Sequence, residues 1–343
     1  MQTYTLKVLE IRQETADTIT LCFKQPALKK VKYLPGQYLT LIFRINGRRY
    51  IRPYSLSSTP MVDSTLDVTV KRVPNGIVSN HINDVVKIGD SIEVISPMGD
   101  FVVPEENNYQ AIFLWGAGSG ITPLYSIAKK ILIENPTVRV NLVYGNRRRD
   151  SVIFNEAIEK LRLNYLDQLS VWHFHTEIEV DEALPQLVQG RIDAERVLNV
   201  VNEVDIQKGL HFICGPIGLK ASVKNSLEKR SVATENVFSE DFELVKNPAD
   251  FEGIDTENIT INFNGETYSL EIIKGKSILE AGLDANIELP YSCQTGNCSS
   301  CKGKVINGRV IMIGLTKQRE DLFEDECLLC CSHPTTEDVI IEI

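Results

Sequence analysis

Ala111-Ile112-Phe113-Leu114-Trp115-Gly116-Ala117-Gly118-Ser119-Gly120-Ile121-Thr122-Pro123 is the stretch on which the reading of the chain turns. Its first five residues are a continuous apolar run, the mark of a strand buried on both faces. Glycine recurs at Gly116, Gly118 and Gly120, where the missing Cβ lets a dinucleotide approach the backbone. From Pro123 to about Glu134 the pattern is helical. A glycine-rich turn alone says little. Between a buried strand and a helix it is a strong sign of a phosphate-binding turn.

Working outward, further apolar strands lie at Arg139 to Tyr144, Val171 to His175 and Leu210 to Cys214, with helical segments between them. That alternation predicts an α/β, doubly wound parallel sheet. Toward the N-terminus the texture changes to short alternating strands at Thr5 to Ile11, Thr18 to Phe23, Tyr38 to Ile45, Leu66 to Arg72 and Ser91 to Ile95. Pro35-Gly36, Asn46-Gly47, Asn75-Gly76 and Gly89-Asp90 turns punctuate them, the pattern of a small antiparallel β-barrel. Toward the C-terminus, Glu243 to about Glu257 is polar, holds Pro248 and Gly253, and has neither period, which reads as a linker. Two strands follow, Ile259 to Phe263 and Tyr268 to Ile273, then a short helix that Ser277 and Glu280 open as a capping box. The expected division is a barrel at 1–106, a nucleotide domain at 107–243, a linker at 244–257 and a last domain at 258–343.

With 36 Lys and Arg against 46 Asp and Glu, the 343-residue chain has a formal charge of −10, which disfavours nucleic acid or an anionic membrane surface as a partner. No charged-then-apolar leader is visible and the apolar runs are far shorter than a membrane span, so the expected location is cytoplasmic. Eight cysteines in that compartment suit metal or redox use better than disulfides. Six of them fall between Cys293 and Cys331, and Cys214 opens a Cys-Gly-Pro turn.

Cys293-x4-Cys298-x2-Cys301 is the three-ligand spacing of plant-type 2Fe-2S sites, whose fourth cysteine comes from a distant segment. The small residues between them let backbone N–H groups point at the sulfurs and offset negative charge. Structural zinc instead favours paired Cys-x2-Cys or His ligands. On residues alone the fourth ligand stays open among Cys327, Cys330 and Cys331. YSCQTGNCSSC, the following KGKVINGRV, and LLCCSHPTTEDVIIEI together resemble the plant-type ferredoxin family. In that family the last ligand stands four residues before a proline, here Pro334, so the resemblance selects Cys330 and implies an α+β β-grasp domain. Ser299 departs from the glycine of many members.

Arg52-Pro53-Tyr54-Ser55, Gly76-Ile77-Val78-Ser79 and the Gly116–Pro123 turn occur in an order that resembles the ferredoxin-reductase superfamily of FAD enzymes over residues 1 to about 243. The resemblance implies that Arg52 pairs with the FAD pyrophosphate, Tyr54 stacks on the isoalloxazine and Ser55 hydrogen-bonds near flavin N5. Guanidinium, phenol and hydroxyl suit those roles. It further places Val70 and Lys71 on a flavin-contacting strand and Gly76, Val78 and Ser79 in a second phosphate turn. Gly116, Gly118, Gly120, Thr122 and Pro123 are assigned to the nicotinamide nucleotide, with Thr122 between the redox rings. Cys214 and Gly215 lie beside the nicotinamide, so that Tyr54, Ser55 and Cys214 form the catalytic set. Glu240 and Phe242 resemble the acidic and aromatic pair that closes this domain near the flavin. Arg147-Arg148-Arg149 would suit a 2′-phosphate, favouring NADPH, although no Ser-Arg pair is evident around His175-Thr176-Glu177.

A flavin, nicotinamide, ferredoxin order resembles the reductase components that feed oxygenases. It implies a multidomain NAD(P)H-dependent oxidoreductase carrying FAD and a 2Fe-2S cluster. Electrons would pass to a partner protein, an oxygenase component of aromatic-compound (phenylacetate) degradation. The alternatives are a hybrid-cluster protein or separate ferredoxin as acceptor, or a non-catalytic redox sensor. From Glu257 onward seven Lys and Arg face fourteen Asp and Glu, a charge of −7 against −3 for the rest, which predicts salt-sensitive association with a basic acceptor.

Overall fold

The computed structural model describes residues 2–27, 30–105, 109–177, 186–244, 246–315 and 318–343. The boundary expected at 106–107 lies outside the described residues. Contacts divide the chain into two units, Met1–Leu41 with Tyr54–Glu240, and Ile42–Pro53 with Asp241–Ile343.

Strands β1 (Thr3–Thr15), β2 (Thr18–Lys24), β3 (Tyr38–Ile45), β4 (Arg48–Ser55), β5 (Thr65–Lys71) and β6 (Ser91–Met98) form one sheet in the order β4-β3-β6-β1-β2-β5, with helix α1 (Ile77–Asp84) preceding β6. β1 pairs antiparallel with β2 and β6, and β2 with β5. Immediately after β4, Leu56 bridges Val68 of β5 and so links the two edge strands. Alternate residues are buried, among them Leu6 and Val8 of β1 and Leu66, Val68 and Val70 of β5. Arg52, Tyr54 and Ser55 lie within β4 rather than between strands. Pro53 interrupts the strand signal in the sequence, yet its missing N–H costs little because β4 sits at the end of the strand order.

The second sheet comprises β7 (Ala111–Ala117), β8 (Arg139–Asn146), β9 (Leu169–His175), β10 (Leu187–Gln189), β11 (Leu210–Cys214) and β12 (Val237–Glu240) in the order β10-β9-β8-β7-β11-β12. Every neighbouring pair is parallel. Helices α2 (Ile121–Glu134), α3 (Asn155–Asn164), α4 (Ala194–Leu198), α5 (Glu203–Lys208) and α6 (Ile217–Lys229) connect the strands. β7 explains its own composition, for Ile112 and Leu114 enter one apolar core while Ala111, Phe113 and Trp115 enter another. A strand covered on both faces has no polar side to show. The chain lays β8 to β10 on one side of β7 and then returns to lay β11 and β12 on the other. That reversal is the switch point where open α/β sheets bind ligands, outside the strand C-termini.

In the second unit, β13 (Glu257–Phe263), β14 (Glu266–Ile272), β15 (Lys302–Asn307), β17 (Glu326–Leu328) and β19 (Ile340–Glu342) form a mixed sheet ordered β14-β13-β19-β15-β17, and β16 (Val310–Met312) pairs with β18 (Ser332–Pro334). One helix, α7 (Ile278–Asp284), follows β14. Its start is the expected capping box, in which Ser277 Oγ accepts from Glu280 N–H at 3.2 Å and the Glu280 carboxylate accepts from Ser277 N–H at 2.7 Å. Within the stretch read as a linker, Pro248–Phe251 form a 3-10 turn, and Phe251 and Ile254 are buried with Ile313. Two isolated apolar residues give no period, which is why sequence pattern alone misses them.

Candidate cofactor sites

At the switch point, Gly116, the last residue but one of β7, lies opposite Cys214 at the end of β11, and Cys214 stands opposite Glu240 at the end of β12. The three turn glycines differ in purpose. A Cβ on Gly120 would lie 2.1 Å from the Cys214 carbonyl oxygen, and one on Gly116 2.8 Å from Leu124 Cδ1. Gly118, at φ +54°, would meet nothing within 4 Å. Two glycines therefore seat the turn against β11 and α2, and Gly118 alone leaves open space. Tyr144 holds this turn by donating to the Gly118 carbonyl at 2.9 Å, a role the sequence reading missed because a strand tyrosine looks like core. The Thr122 hydroxyl turns back to donate to Ser119 O at 3.0 Å, and Thr122 and Pro123 are buried in the first turn of α2. Helix α2 begins two residues before Pro123, because proline is tolerated in a first turn.

Ser55 is brought to the same place, where its Oγ donates to Glu240 at 3.4 Å. Burial pushes the Glu240 carboxyl up to about 8, opposed by the Ser55 hydrogen bond and reinforced by Asp100. Burial, with the Glu240 charge, also drives the Cys214 thiol well up, so Cys214 is a neutral thiol. Arg52 donates to the adjacent Ile51 carbonyl at 2.8 Å, and Tyr54 is half-buried beside it on β4. Val70 is buried, whereas Lys71 points to Asp17 at 3.5 Å. Ser79 Oγ accepts from Val73 N–H at 3.1 Å and donates to Gly76 O at 3.5 Å, fixing the turn ahead of α1, and Val78 is buried. Arg148 is drawn to Asp150 at 3.3 Å and Glu177 at 3.9 Å.

Helix starts sort these turns. Helices α1, α2 and α6 begin at Gly76, Gly120 and Pro216 with no side-chain cap and no acidic residue in the first turn. Helices α4, α5 and α7 are capped by Asp193, Asn202 and Ser277, and α3 carries Glu156 in its first turn. The open starts are the three that follow the Gly76, Gly116–Gly120 and Cys214-Gly215 motifs. A positive dipole end with no acidic residue or side-chain cap beside it suits phosphate there.

In the second unit Cys293 lies against Cys298, and Cys330 lies against both Cys301 and Cys331. Thr295 and Cys298 N–H groups donate to Cys293 Sγ at 3.4 and 3.3 Å, Ser300 N–H to Cys298, Gly296 N–H to Cys330 and Cys330 N–H to Cys301. Positive φ at Gln294 (60°) and Gly296 (75°) turns the loop so that these donors converge. Among the described residues no three Cys, His, Asp or Glu side chains gather as for a single ion. The Cys331 thiol donates to Leu328 O at 3.4 Å and also lies against Cys330, and burial pushes the Cys327 thiol up to about 11. Within the same unit, Tyr291 Oη accepts from Ile51 N–H at 3.1 Å and Gln294 donates to Ile51 O at 3.3 Å.

Known proteins bear on these sites directly. Residues 5–103 match the oxidoreductase FAD-binding domain, 114–225 the oxidoreductase NAD-binding domain and 261–335 the 2Fe-2S iron-sulfur cluster binding domain. The ferredoxin reductase component of 3-ketosteroid-9-alpha-monooxygenase from Rhodococcus rhodochrous is 32% identical, over 98% of this chain and 96% of the relative. The chain belongs to the ferredoxin-reductase family. A subunit of 1,2-phenylacetyl-CoA epoxidase from Escherichia coli is 28% identical over 99% of this chain and 97% of its own. In fold, the reductase is similar to phthalate dioxygenase reductase, with a TM-score of 0.68 at 23% identity, covering 99% of this chain and 98% of the other. It is thus an NAD(P)H oxidoreductase that binds FAD and a 2Fe-2S cluster. Among the described residues no helix is long and apolar enough to cross a membrane.

Proposed function

We propose that this reductase draws electrons from NAD(P)H and delivers them to the oxygenase component of a multi-subunit monooxygenase acting on an aromatic compound such as phenylacetyl-CoA. The epoxidase subunit, the ketosteroid monooxygenase component and the reductase subunit of glycine betaine monooxygenase from Chromohalobacter salexigens support an oxygenase as acceptor. Eight thiols free of disulfides support a reducing, cytoplasmic setting.

Bound FAD would supply hydride acceptance and single-electron release, and a bound iron-sulfur cluster one-electron carriage. The chain's part is to hold and align. Arg52 pairs with the flavin pyrophosphate, assisted by the open start of α1 at Gly76, with Val78 and Ser79 shaping that turn. Tyr54 stacks on the flavin ring, Val70 and Lys71 flank it, and Ser55 reaches its N5 edge. Gly116, Gly118, Gly120, Thr122 and Pro123 receive the nicotinamide nucleotide, with Cys214 and Gly215 beside the ring. Glu240, its carboxyl raised to about 8 chiefly by burial, accepts from the Ser55 hydroxyl and holds it in place. Cys293, Cys298, Cys301 and Cys330 would hold the cluster. The domain limits we assign are 1–106, 107–243 and 258–343.

The observation that carries this reading is the cysteine loop with backbone N–H groups donating to the Cys293 sulfur, in a chain whose flavin and nucleotide modules have helix starts without side-chain caps. Steady-state oxidation of NADH and NADPH with ferricyanide tests it. A flavin-loaded protein that oxidises neither nucleotide sinks the enzyme reading. One that does, but fails to reduce any oxygenase component, sinks only the choice of acceptor.

A further inference from the structure

Arg319 lies outside every motif read from the sequence, yet its surroundings are fully specified. The guanidinium has five N–H donors, and all five are used. Nη1 donates to the Gly296 and Cys298 carbonyls, the latter at 3.4 Å; Nη2 donates to Ser299 Oγ and Asp321 Oδ2, each at 2.7 Å; Nε donates to Asp321 Oδ1 at 2.7 Å. Ser299 Oγ in turn donates to Asp321 Oδ2 at 3.2 Å. The Arg319 side chain is 12% exposed, against 57% for Asp321. Of the four cysteines proposed as ligands, Cys298 is the one not fully buried. The brace therefore closes the solvent-facing side of the loop.

We propose that Arg319 is a positioning residue for the 2Fe-2S cluster, holding the Gly296–Ser299 backbone in its cradle and placing one positive charge, tempered by Asp321, beside the Cys298 edge. The inference rests on the cluster ligands proposed above. It also accounts for Ser299, the departure from glycine in the loop, whose hydroxyl joins Arg319 to Asp321. Two consequences separate. The fork geometry is needed to keep the loop shut, and lysine, a point charge on a flexible stem, cannot bridge two carbonyls, a hydroxyl and a carboxylate. The charge acts on electron affinity, because reduction adds negative charge that a nearby cation favours and a nearby anion opposes.

The test uses full-length holoprotein, with the cluster potential read by spectroscopic redox titration and iron loss read under excess chelator. In R319Q the potential falls and in D321N it rises, each by about a tenfold change in the reduced-to-oxidised ratio, about 59 mV for one electron. R319K keeps the wild-type potential but loses iron about tenfold faster, as R319Q does. A structural surface arginine would move iron loss without opposed shifts in potential. Shifts of one sign, or none, in R319Q and D321N overturn the inference, as does wild-type iron retention in R319K. A wild-type chain that assembles no two-iron cluster from iron and sulfide overturns the proposed function instead.

Discussion

Helices α2 and α7 start in opposite ways. The first begins at Gly120 with no cap and no acidic residue, the second at Ser277 with a reciprocal capping box. At α7 the side chains of Ser277 and Glu280 pair two N–H groups at the helix start, so the helix is a structural element of the cluster module. At α2 no side chain takes that place: Ile121 N–H turns back to the Gly118 and Ser119 carbonyls, Pro123 has no N–H, and the positive dipole end is left without a negative partner. The cysteine loop follows a third course, committing its own N–H groups to sulfur. Where a module's donors point thus separates scaffold from site more sharply than which residues are polar.

The largest effect is expected at the loop. Cys330→Ser loses the cluster, while Cys327→Ser and Cys331→Ser retain it, read from visible absorbance and iron content per chain. A full cluster in Cys330→Ser breaks the assignment of Cys330 as the fourth ligand.

Next is the open helix start. Gly120→Ala drives a Cβ into the Cys214 carbonyl, and NAD(P)H oxidation with ferricyanide falls about a hundredfold through misplacement of the turn. Gly118→Ala meets open space, and its φ of +54° costs stability of roughly 1–2 kcal/mol in denaturant titrations. Equal rates for the two variants erase the distinction between the glycines.

Glu240 gives a pH signature. Its folded pKa is raised, from 4.5 to about 8, so its stabilising contribution is complete below about pH 4.5 and is lost as pH rises through 8. Wild-type melting temperature should decline across that window more steeply than that of Glu240→Gln. Parallel curves would remove Glu240 from the buried site.

Smallest is Ser277→Ala, which loses about 1 kcal/mol of stability in the C-terminal unit with ferricyanide-linked NAD(P)H oxidation unchanged. A loss of that activity would mean α7 is more than scaffold.

Much of this was legible in the sequence because it rests on local rules. Leu210–Cys214 is a strand as expected, β7 runs only two residues beyond Trp115, and the Ser277–Glu280 capping box forms. The family resemblance supplied what spacing left open, the choice among three cysteines. What stayed hidden depends on distant partners. Tyr144 is twenty-six positions from the carbonyl it holds, and Arg319 is more than twenty from Gly296 and Cys298. Pro53 hid β4, since only the strand order makes it an end strand. Of the three turn glycines, sequence could not say that two serve packing and one leaves room.

The buried pair Phe251 and Ile254 sets where the last module can be cut. A fragment begun at Glu257, the first residue of β13, would leave Ile313 uncovered and Phe251 absent from the edge of His333, whose ring it meets at 5.0 Å. It would also lack Lys246, which pairs at 2.8 Å with the same Glu280 that closes the capping box. Grafting this electron carrier onto another enzyme therefore requires the graft to begin at or before Lys246, carrying along a segment whose sequence looks like a mere tether.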